Sequence, residues 1–343
     1  MTPVLEKSLR RGRLLFAWAS GGASRFVPPP RMAQIEVTNR CNLACRTCTR
    51  LKLPLLGDMS YEDFCTILDR IGRVRLLWLS GQGEPLLHPE LPRMIRACAD
   101  RGIRNTILHT NATLLRGEMA RDIAASGLGE MRVSIDGGSA EEMEYLRVGA
   151  SFREVLENVR AFVQLAGRGG GGGPGVAVAF YTLLNRRCAG SVAQLPGIAA
   201  EVGVGRIYAA ETVPFRDESS EREIYDRRSY QFASLPEEVR RATLRKLRIE
   251  GLRHGVDVQV DLKWNRKRCF EPFQKIYVDR QGQVTPCCRI HNEVVVGNIL
   301  RDGLEGSWRS RAMERWRGDL LRKDRHRRIC VERCGLGIAQ ADR

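Results

Sequence analysis

Short apolar runs alternate with amphipathic stretches from residue 34 onward. Six of the runs have the length and the residue types of β-strands: 34–38, 76–81, 105–111, 131–136, 176–182 and 206–211. The segments between them, such as SYEDFCTILDRIG and SFREVLENVRAFVQLAG, repeat apolar residues at spacings of three and four, as amphipathic helices do. Repetition of strand, helix and strand predicts a parallel sheet, and enzymes built on such sheets carry their chemistry at the C-terminal ends of the strands.

A different pattern begins near residue 256. The run VDVQVDL predicts a strand, and KIYVDRQGQVTPCC predicts a β-hairpin that turns at Gly282. A helix should follow, because apolar residues spaced four apart form a stripe that would pack the tail onto the core: Leu304, Trp308, Ala312, Trp316 and Leu320. We therefore divide the chain into an N-terminal helical segment at 1–31, a parallel α/β core at 32–235, a connecting helix at 236–255 and a cysteine-rich domain at 256–343.

The N-terminus has a basic stretch before an apolar one, which is the order found in a secretory signal. The apolar run from Leu14 to Ala19 is shorter than the roughly 7 to 15 residues of a signal core, so we predict a short amphipathic helix instead. No apolar run approaches the roughly 20 residues that a membrane span needs. These features predict a cytoplasmic protein, in which the 11 cysteines stay reduced and are available to metals.

The formal net charge of +16 raises the question of a nucleic-acid partner. The basic residues are mostly arginines spread among 40 acidic residues, and no motif for binding RNA or DNA accompanies them. A solvated arginine-rich surface explains the charge without a nucleic acid. An anionic substrate is the intermediate interpretation.

Three cysteines, Cys41, Cys45 and Cys48, follow the first predicted strand in the pattern CxxxCxxC. A structural zinc site needs four ligands in a closed tetrahedron, and this motif supplies three. An iron–sulfur cube has four irons, so three thiolates leave one iron open to a ligand from outside the protein. The zinc interpretation remains as the alternative, but the spacing favours a catalytic iron–sulfur cluster.

Placed after the first strand of a parallel α/β unit, this motif resembles the radical S-adenosylmethionine (radical SAM) superfamily. The resemblance extends to SGQGEPLLHP at 80–89, HTNATLL at 109–115, VSIDG at 133–137 and LRVGASFREVLENV at 146–159, which occur in the family's order. It implies a partial (β/α)6 barrel of the TIM type, made of parallel strands. It also implies that Cys41, Cys45 and Cys48 bind a 4Fe–4S cluster whose open iron binds S-adenosylmethionine.

The resemblance further implies a set of residues around S-adenosylmethionine. The segment Gly81, Gln82, Gly83 and Glu84 would receive the methionine amino group, and Ser134 and Asp136 would bind the ribose hydroxyls. Arg147 would meet the carboxylate, and Asn111 would line the pocket. Simpler roles stay open for three of them: a cap of the following turn for Glu84, a buried strand-end hydroxyl for Ser134 and an exposed helix charge for Arg147. Thr47 departs from the family, which usually has an aromatic residue before the third cysteine, and this puts the adenine contact in doubt.

Five more cysteines in the last quarter exceed what packing alone requires, so we interpret them as ligands. The spacing from Cys269 through Gly282 to Cys287 and the closing CVERC resemble the SPASM and Twitch extensions, which hold auxiliary iron–sulfur clusters. A full SPASM domain has more cysteines, so the count favours one auxiliary 4Fe–4S cluster bound by Cys269, Cys287, Cys330 and Cys334. Cys288 would be a neighbour or a substitute ligand, and zinc stays the alternative for four thiolates.

The resemblance implies an enzyme that reductively cleaves S-adenosylmethionine to a 5'-deoxyadenosyl radical, which takes a hydrogen atom from a substrate carbon. We expect oxidation of a carbohydrate, an aminocyclitol or a nucleotide-sugar intermediate of a natural-product pathway. Maturation of a ribosomally made peptide is one alternative, and a zinc-bearing nucleic-acid binder is another of a different class. The expected partners are a small-molecule substrate, with an anionic one as an open alternative, or a short peptide, together with an electron donor such as flavodoxin or ferredoxin.

Four further residues lie at or near the ends of the fifth and sixth predicted strands and are candidates to face the substrate: Tyr181, Arg206, Tyr208 and Glu211. Packing inside the barrel is the alternative for each.

Overall fold

A computed structural model describes residues 27–48, 55–167, 175–211, 231–262, 269–290, 293–321 and 330. The predicted N-terminal helix falls almost wholly outside these residues, as does Cys334. Within them, one sheet of ten strands organises the molecule.

The strands, in chain order, are β1 Met32–Ile35, β2 Leu76–Leu79, β3 Thr106–Thr110, β4 Glu130–Ser134, β5 Ala177–Leu184, β6 Arg206–Glu211, β7 Asp257–Asp261, β8 Lys275–Val278, β9 Gln283–Thr285 and β10 Gly297–Asn298. Their order across the sheet is β10-β9-β8-β1-β2-β3-β4-β5-β6-β7. Strands β1 to β7 run parallel, as the alternation of strands and helices predicted. The result is an open α/β arrangement, a partial barrel.

The helices are α1 Tyr61–Ile71, α2 Leu91–Asp100, α3 Gly117–Ala124, α4 Ala140–Leu146, α5 Phe152–Gly167, α6 Leu195–Glu201, α7 Glu237–Arg253, α8 Glu271–Gln274, α9 Ile299–Trp308 and α10 Arg311–Leu321. Local signals set several of their ends. Ser60 caps α1 by accepting a hydrogen bond from the backbone N–H of Asp63, and Ser139 does the same for α4 through Glu142.

The two faces of the sheet differ in chemistry. Apolar side chains from alternate positions, such as Ile35, Leu79, Val133 and Phe180, are fully buried in the hydrophobic core. The positions between them are half-buried and mostly polar or aromatic, as at Trp78 and Arg132. Because side chains of successive strand residues point to opposite faces, the second set lines the concave face of the open barrel.

The predicted hairpin is present and becomes part of the barrel sheet. Strand β8 pairs in parallel with β1, with Gln34 opposite Tyr277, and β9 turns back antiparallel to β8. Gly282 lies in the turn with φ +76°, a conformation that favours glycine. The cysteine-rich region is thus joined by hydrogen bonds to the first strand of the core.

Two features of the last quarter differ from the sequence prediction. Strand β7, which we assigned to the cysteine-rich domain, pairs in parallel with β6 at the far edge of the sheet from the hairpin. The predicted single tail helix is two helices, α9 and α10, which are separated at Arg309–Ser310. The predicted apolar spacing holds within each helix, but it does not indicate where the first helix ends. Trp308 and Trp316 are both buried, as that stripe predicted.

The C-terminal helices attach to the core through specific contacts. The indole N–H of Trp308 donates a hydrogen bond of 3.0 Å to the carbonyl of Pro28, just before β1. Arg317 is fully buried in α10 and donates to the carbonyls of Pro272 and Trp308 over 2.8 and 2.7 Å. No helix within the described residues is long and apolar enough to cross a membrane.

Candidate functional site

The loop that carries Cys41, Cys45 and Cys48 follows β1 at the C-terminal end of the parallel sheet. All three thiols are half-buried. The backbone N–H of Ala44 donates to the carbonyl of Val148 over 3.0 Å, and the N–H of Arg46 donates to the carbonyl of Leu146 over 2.9 Å. The end of α4 therefore fixes the shape of the loop between its first and third cysteines.

A second support comes from the loop after β3. Asn111 donates from its side-chain amide to the side-chain oxygen of Asn42 over 3.0 Å, and Asn42 donates to the hydroxyl of Thr113 over 2.8 Å. The side-chain oxygen of Asn111 accepts from both the N–H and the hydroxyl of Thr113. Asn111 is therefore adjacent to the cysteine loop, but its polar atoms hold two loops together.

Gly81 and Gly83 allow the loop after β2 to pack directly on the loop after β1. A Cβ at Gly81 would lie 2.2 Å from the carboxylate of Glu36, and a Cβ at Gly83 would lie 2.4 Å from the carbonyl oxygen of Thr38. No side chain can occupy such distances. The backbone N–H of Gln82, between the glycines, donates to Glu36 over 2.7 Å.

The carboxylate of Glu84 is fully buried and accepts three hydrogen bonds. They come from the hydroxyl of Thr110 at 2.6 Å, the N–H of Asn111 at 2.7 Å and the N–H of Leu86 at 3.1 Å. Burial raises the pKa of Glu84, while these hydrogen bonds lower it. Glu84 does cap the turn that follows it, as the simpler interpretation held. Its Oε1 accepts two of the three hydrogen bonds and its Oε2 accepts one, so Oε2 can accept one more.

Asp136 and Arg147 form an ion pair beside the cysteine loop. The distance from Arg147 Nη2 to Asp136 Oδ2 is 2.9 Å, and Asp136 Oδ1 accepts from the backbone N–H of Leu183 over 2.8 Å. Arg147 follows α4 and only 12% of its side chain is exposed, so it is not an exposed helix charge. Its Nε is buried and has no hydrogen-bond partner among the described residues.

Arg147 also acts on the cysteines. Burial raises the pKa of the Cys45 thiol, and the charge of Arg147 opposes this increase. A nearby cation stabilises the thiolate, which is the form that binds iron. Donor type, burial and local charge at this loop therefore suit an iron–sulfur cluster.

The structure places Ser134 at the last position of β4, half-buried on the concave face and opposite Tyr181 of β5. It lies two residues before Asp136 in the sequence.

The auxiliary cysteines come together around a small apolar cluster. Cys330 is buried with Ile290, Trp316 and Leu320, and Cys269 and Cys287 pack against them. Burial raises the pKa of Cys287 well above its ordinary value, and the neighbouring thiols of Cys288, Cys269 and Cys330 add to the increase. The prediction for Cys334 lies outside the described residues.

Within the described parts of the chain, no three His, Cys, Asp or Glu side chains stand close enough to share a single metal ion.

Aromatic and charged side chains from every second strand meet on the concave face. The rings of His109 on β3 and Tyr181 on β5 contact edge to face, with centroids 5.0 Å apart. The guanidinium of Arg132 on β4 lies 3.8 Å from the ring centroid of Tyr208 on β6 and pairs with Glu130. Burial, together with the charges of Arg132 and Lys275, lowers the pKa of His109 to about 3, so its imidazole is neutral.

Lys275 brings the cysteine-rich region to the same face. Its ammonium lies 5.4 Å from the ring centroid of Trp78 and 2.7 Å from a carboxylate oxygen of Glu271. Burial works to lower the pKa of Lys275, but Cys288 and Glu271 raise it. The concave face and the auxiliary cysteines are therefore neighbours.

Two of the four strand-end candidates are elsewhere. Arg206 begins β6 at the opposite end of the sheet from the cysteine loop and pairs with Asp257 over 2.9 Å. Glu211 is an odd number of residues from Tyr208, so strand alternation places it on the helix-covered face, where it is buried. Tyr181 and Tyr208 do line the concave face.

Sequence reasoning did not single out Glu36, Tyr277, Lys275 or His109. Glu36 and His109 were inside predicted strands, where the available signal was a titratable side chain in a run that has no other. No signal in the sequence indicated Tyr277 or Lys275, because their positions near the site depend on the pairing of β8 with β1.

Comparisons with known proteins agree with this geometry. Residues 35–176 match the radical SAM superfamily, and residues 269–335 match the SPASM iron-sulfur cluster-binding domain. An AdoMet-dependent heme synthase of Methanosarcina barkeri is 25% identical over 327 residues, which are 90% of this chain and 88% of the relative.

Two solved structures share the fold. Streptococcus suis SuiB bound to S-adenosylmethionine superimposes with a TM-score of 0.67 at 14% identity, covering 84% of this chain and 68% of SuiB. BtrN in complex with AdoMet and 2-DOIA gives a TM-score of 0.52 at 17% identity, covering 90% and 94%. The two matched domains imply 4Fe–4S clusters and S-adenosylmethionine as cofactors. The chain therefore carries a radical SAM domain, followed by a C-terminal SPASM domain.

Proposed function

We propose that the chain is an enzyme that uses S-adenosylmethionine to remove a hydrogen atom from an anionic substrate bound on the concave face. Cys41, Cys45 and Cys48 would hold the cluster, which when reduced would supply the electron for cleavage of S-adenosylmethionine. The chain's own part is to hold both molecules and to keep water away from the reacting carbon.

Arg147 is the residue we assign to the carboxylate of S-adenosylmethionine. It is held by Asp136, lies close to Cys45, and keeps a buried Nε without a partner among the described residues. A buried donor of this kind favours an anionic acceptor.

The loop from Gly81 to Glu84 is our candidate for the methionine amino group. Its glycines let the backbone approach closely, and the carboxylate of Glu84 beneath it supplies negative charge. Ser134 and Asp136, at and just beyond the end of β4, are the candidates for the ribose hydroxyls.

The side chains on the concave face support the proposed substrate class. Cationic and aromatic side chains from successive strands converge there, among them Arg132, Lys275, His109 and Tyr181. This composition suits an anionic molecule with a ring, such as a phosphorylated or nucleotide-linked sugar. The auxiliary cysteines beside Lys275 favour an oxidative outcome, because oxidation needs an electron acceptor near the substrate.

Two other substrate classes have specific support. The heme synthase of Methanosarcina barkeri matches most of this chain, which favours a heme precursor as the second candidate. A SuiB structure is bound to the precursor peptide SuiA, and its fold likeness keeps a short peptide as the third. Flavodoxin or ferredoxin remains our proposal for the electron donor.

Deuterium transfer distinguishes these classes. The reconstituted, reduced protein is mixed with S-adenosylmethionine and deuterated nucleotide sugars, aminocyclitols, heme precursors or short peptides, and the 5'-deoxyadenosine is analysed by mass spectrometry. We expect deuterium from one anionic class. Transfer from neutral compounds alone would contradict the substrate proposal.

A matched pair of variants tests the role of the concave face. Arg132→Gln should raise the KM for the active substrate by about tenfold or more, because it removes a charged hydrogen-bond donor. Arg93→Gln, on the exposed side of α2, removes an equal charge away from the face and should leave that KM unchanged. Equal effects of the two would mean that Arg132 does not face the substrate.

A further inference from the structure

Glu36 is a buried carboxylate to which neither family resemblance nor motif gave a role. It follows β1 directly, and 2% of its surface is exposed. One of its oxygens, Oε2, accepts two hydrogen bonds, from the backbone N–H of Gln82 at 2.7 Å and from the hydroxyl of Tyr277 at 2.9 Å. A single oxygen thus joins two segments that are far apart in sequence.

Each of these two donors belongs to a different functional region. Gln82 is in the glycine loop after β2, which we assigned to the methionine amino group. Tyr277 is in β8 of the SPASM hairpin and is fully buried. Glu36 therefore stands between the S-adenosylmethionine loop and the auxiliary domain.

The conformation of the glycine loop depends on contacts with other segments. Glycine restricts the backbone least of all residues, so a segment with glycines on both sides of Gln82 needs external contacts to keep one conformation. The close approach of Glu36 to Gly81 supplies such a contact, since a Cβ at Gly81 would lie 2.2 Å from its Oε2. The hydroxyl of Tyr277 in turn fixes the direction of the Glu36 carboxylate.

We propose that Glu36 and Tyr277 form a positioning pair that holds the Gly81–Gln82 backbone in its S-adenosylmethionine-binding conformation and makes this binding depend on docking of the SPASM hairpin. The assignment rests on the proposed function, because it takes the glycine loop as part of the S-adenosylmethionine site. The coupling works in both directions, so S-adenosylmethionine should also protect the hairpin.

Hydrogen exchange of the S-adenosylmethionine-free protein tests the pair without any activity measurement. Peptides that contain the N–H of Gln82 are followed by mass spectrometry in the wild type, Glu36→Gln and Tyr277→Phe. Tyr277→Phe should speed exchange at Gln82 by about tenfold, since it removes a buried hydrogen bond that orients the Glu36 carboxyl group. Tyr61→Phe removes a hydroxyl from α1 and should change nothing there.

Equilibrium dialysis of S-adenosylmethionine is the second readout. We expect Tyr277→Phe to weaken binding by about tenfold and to raise the KM for S-adenosylmethionine more than it lowers kcat, as loss of a positioning contact does. Glu36→Gln keeps an acceptor for Gln82 and should be affected less. Unchanged exchange at Gln82 together with unchanged affinity in Tyr277→Phe would overturn the proposal.

The two proposals fail in distinguishable ways. A wild-type protein that binds no S-adenosylmethionine contradicts the proposed function. A wild type that binds it, with both variants equal to the wild type, contradicts the positioning pair alone.

Discussion

Arg147 and Asp136 form a buried ion pair, with 2.9 Å between Nη2 and Oδ2 and with 12% and 4% of their side chains exposed. The pair joins the end of α4 to the segment after β4, immediately behind the cysteine loop. The loop thus rests on charged groups that packing has desolvated.

Breaking this pair should be costly. Removing one partner leaves an uncompensated buried charge, which typically costs about 3–5 kcal/mol of unfolding free energy. We expect Arg147→Met and Asp136→Asn each to lower the stability of the cluster-free protein to urea. The double variant should lose less than the sum of the two, and strict additivity would contradict the ion pair.

The cysteine motifs predict the iron content. After anaerobic reconstitution, a chain with two cubes should hold about eight irons and eight sulfides, and the Cys41→Ala, Cys45→Ala, Cys48→Ala variant about four of each. Cys65→Ala removes a half-buried helix thiol and should retain the wild-type content. Zinc without labile sulfide in the wild type would rule out both clusters.

Glu36 should make stability depend on pH. Burial raises the pKa of Glu36 from 4.5 to about 7, and the charge of Asp279 adds to this increase. The hydrogen bonds from Gln82 and Tyr277 and the charge of Arg280 act in the opposite direction. The native state therefore binds a proton more tightly than the unfolded state. The resulting stabilisation is present below pH 4.5 and is lost as the pH rises to about 7.

Unfolding in urea between pH 5 and 8 measures this effect against Glu36→Gln, which has no proton to lose. A shift of this size corresponds to about 3 kcal/mol. The wild type should lose stability relative to the variant over this range. Parallel curves for the two proteins would show that Glu36 ionises as it does in an unfolded chain.

The imidazole of His109 should stay neutral in mildly acidic solution. Burial and the charges of Arg132 and Lys275 lower its pKa to about 3, so its chemical shift in an NMR titration should not change between pH 8 and 5. The unfolded chain gains a proton near pH 6.5, so this histidine lowers stability as the pH falls below that value.

Much of this structure follows from the sequence. The six predicted strands are present. Strands of a parallel sheet are covered by helices, so they appear in the sequence as apolar runs that are easily recognised. The strand β7 was found, but its position at the edge beside β6 depends on pairing across the sheet and not on its own residues. The break between α9 and α10 was missed because an apolar stripe with a spacing of four continues in phase across it.

The contacts inside the site were less predictable. Glu84 was found by resemblance, but its three hydrogen bonds depend on where β3 ends. Glu36 and Tyr277 are 241 residues apart, and only the pairing of β8 with β1 brings them together. Short motifs in the sequence therefore indicated which loops form the site. The residues that hold those loops in place depend on the order of the strands in the sheet, which the motifs do not give.

The measurement that tests the central claim most directly is formation of 5'-deoxyadenosine from S-adenosylmethionine by the reconstituted, dithionite-reduced protein. We expect the wild type to form it and the Cys41→Ala, Cys45→Ala, Cys48→Ala variant to form none. Equilibrium dialysis on the same samples reports whether S-adenosylmethionine binds. Failure of the fully reconstituted wild type both to bind S-adenosylmethionine and to form 5'-deoxyadenosine would contradict the account.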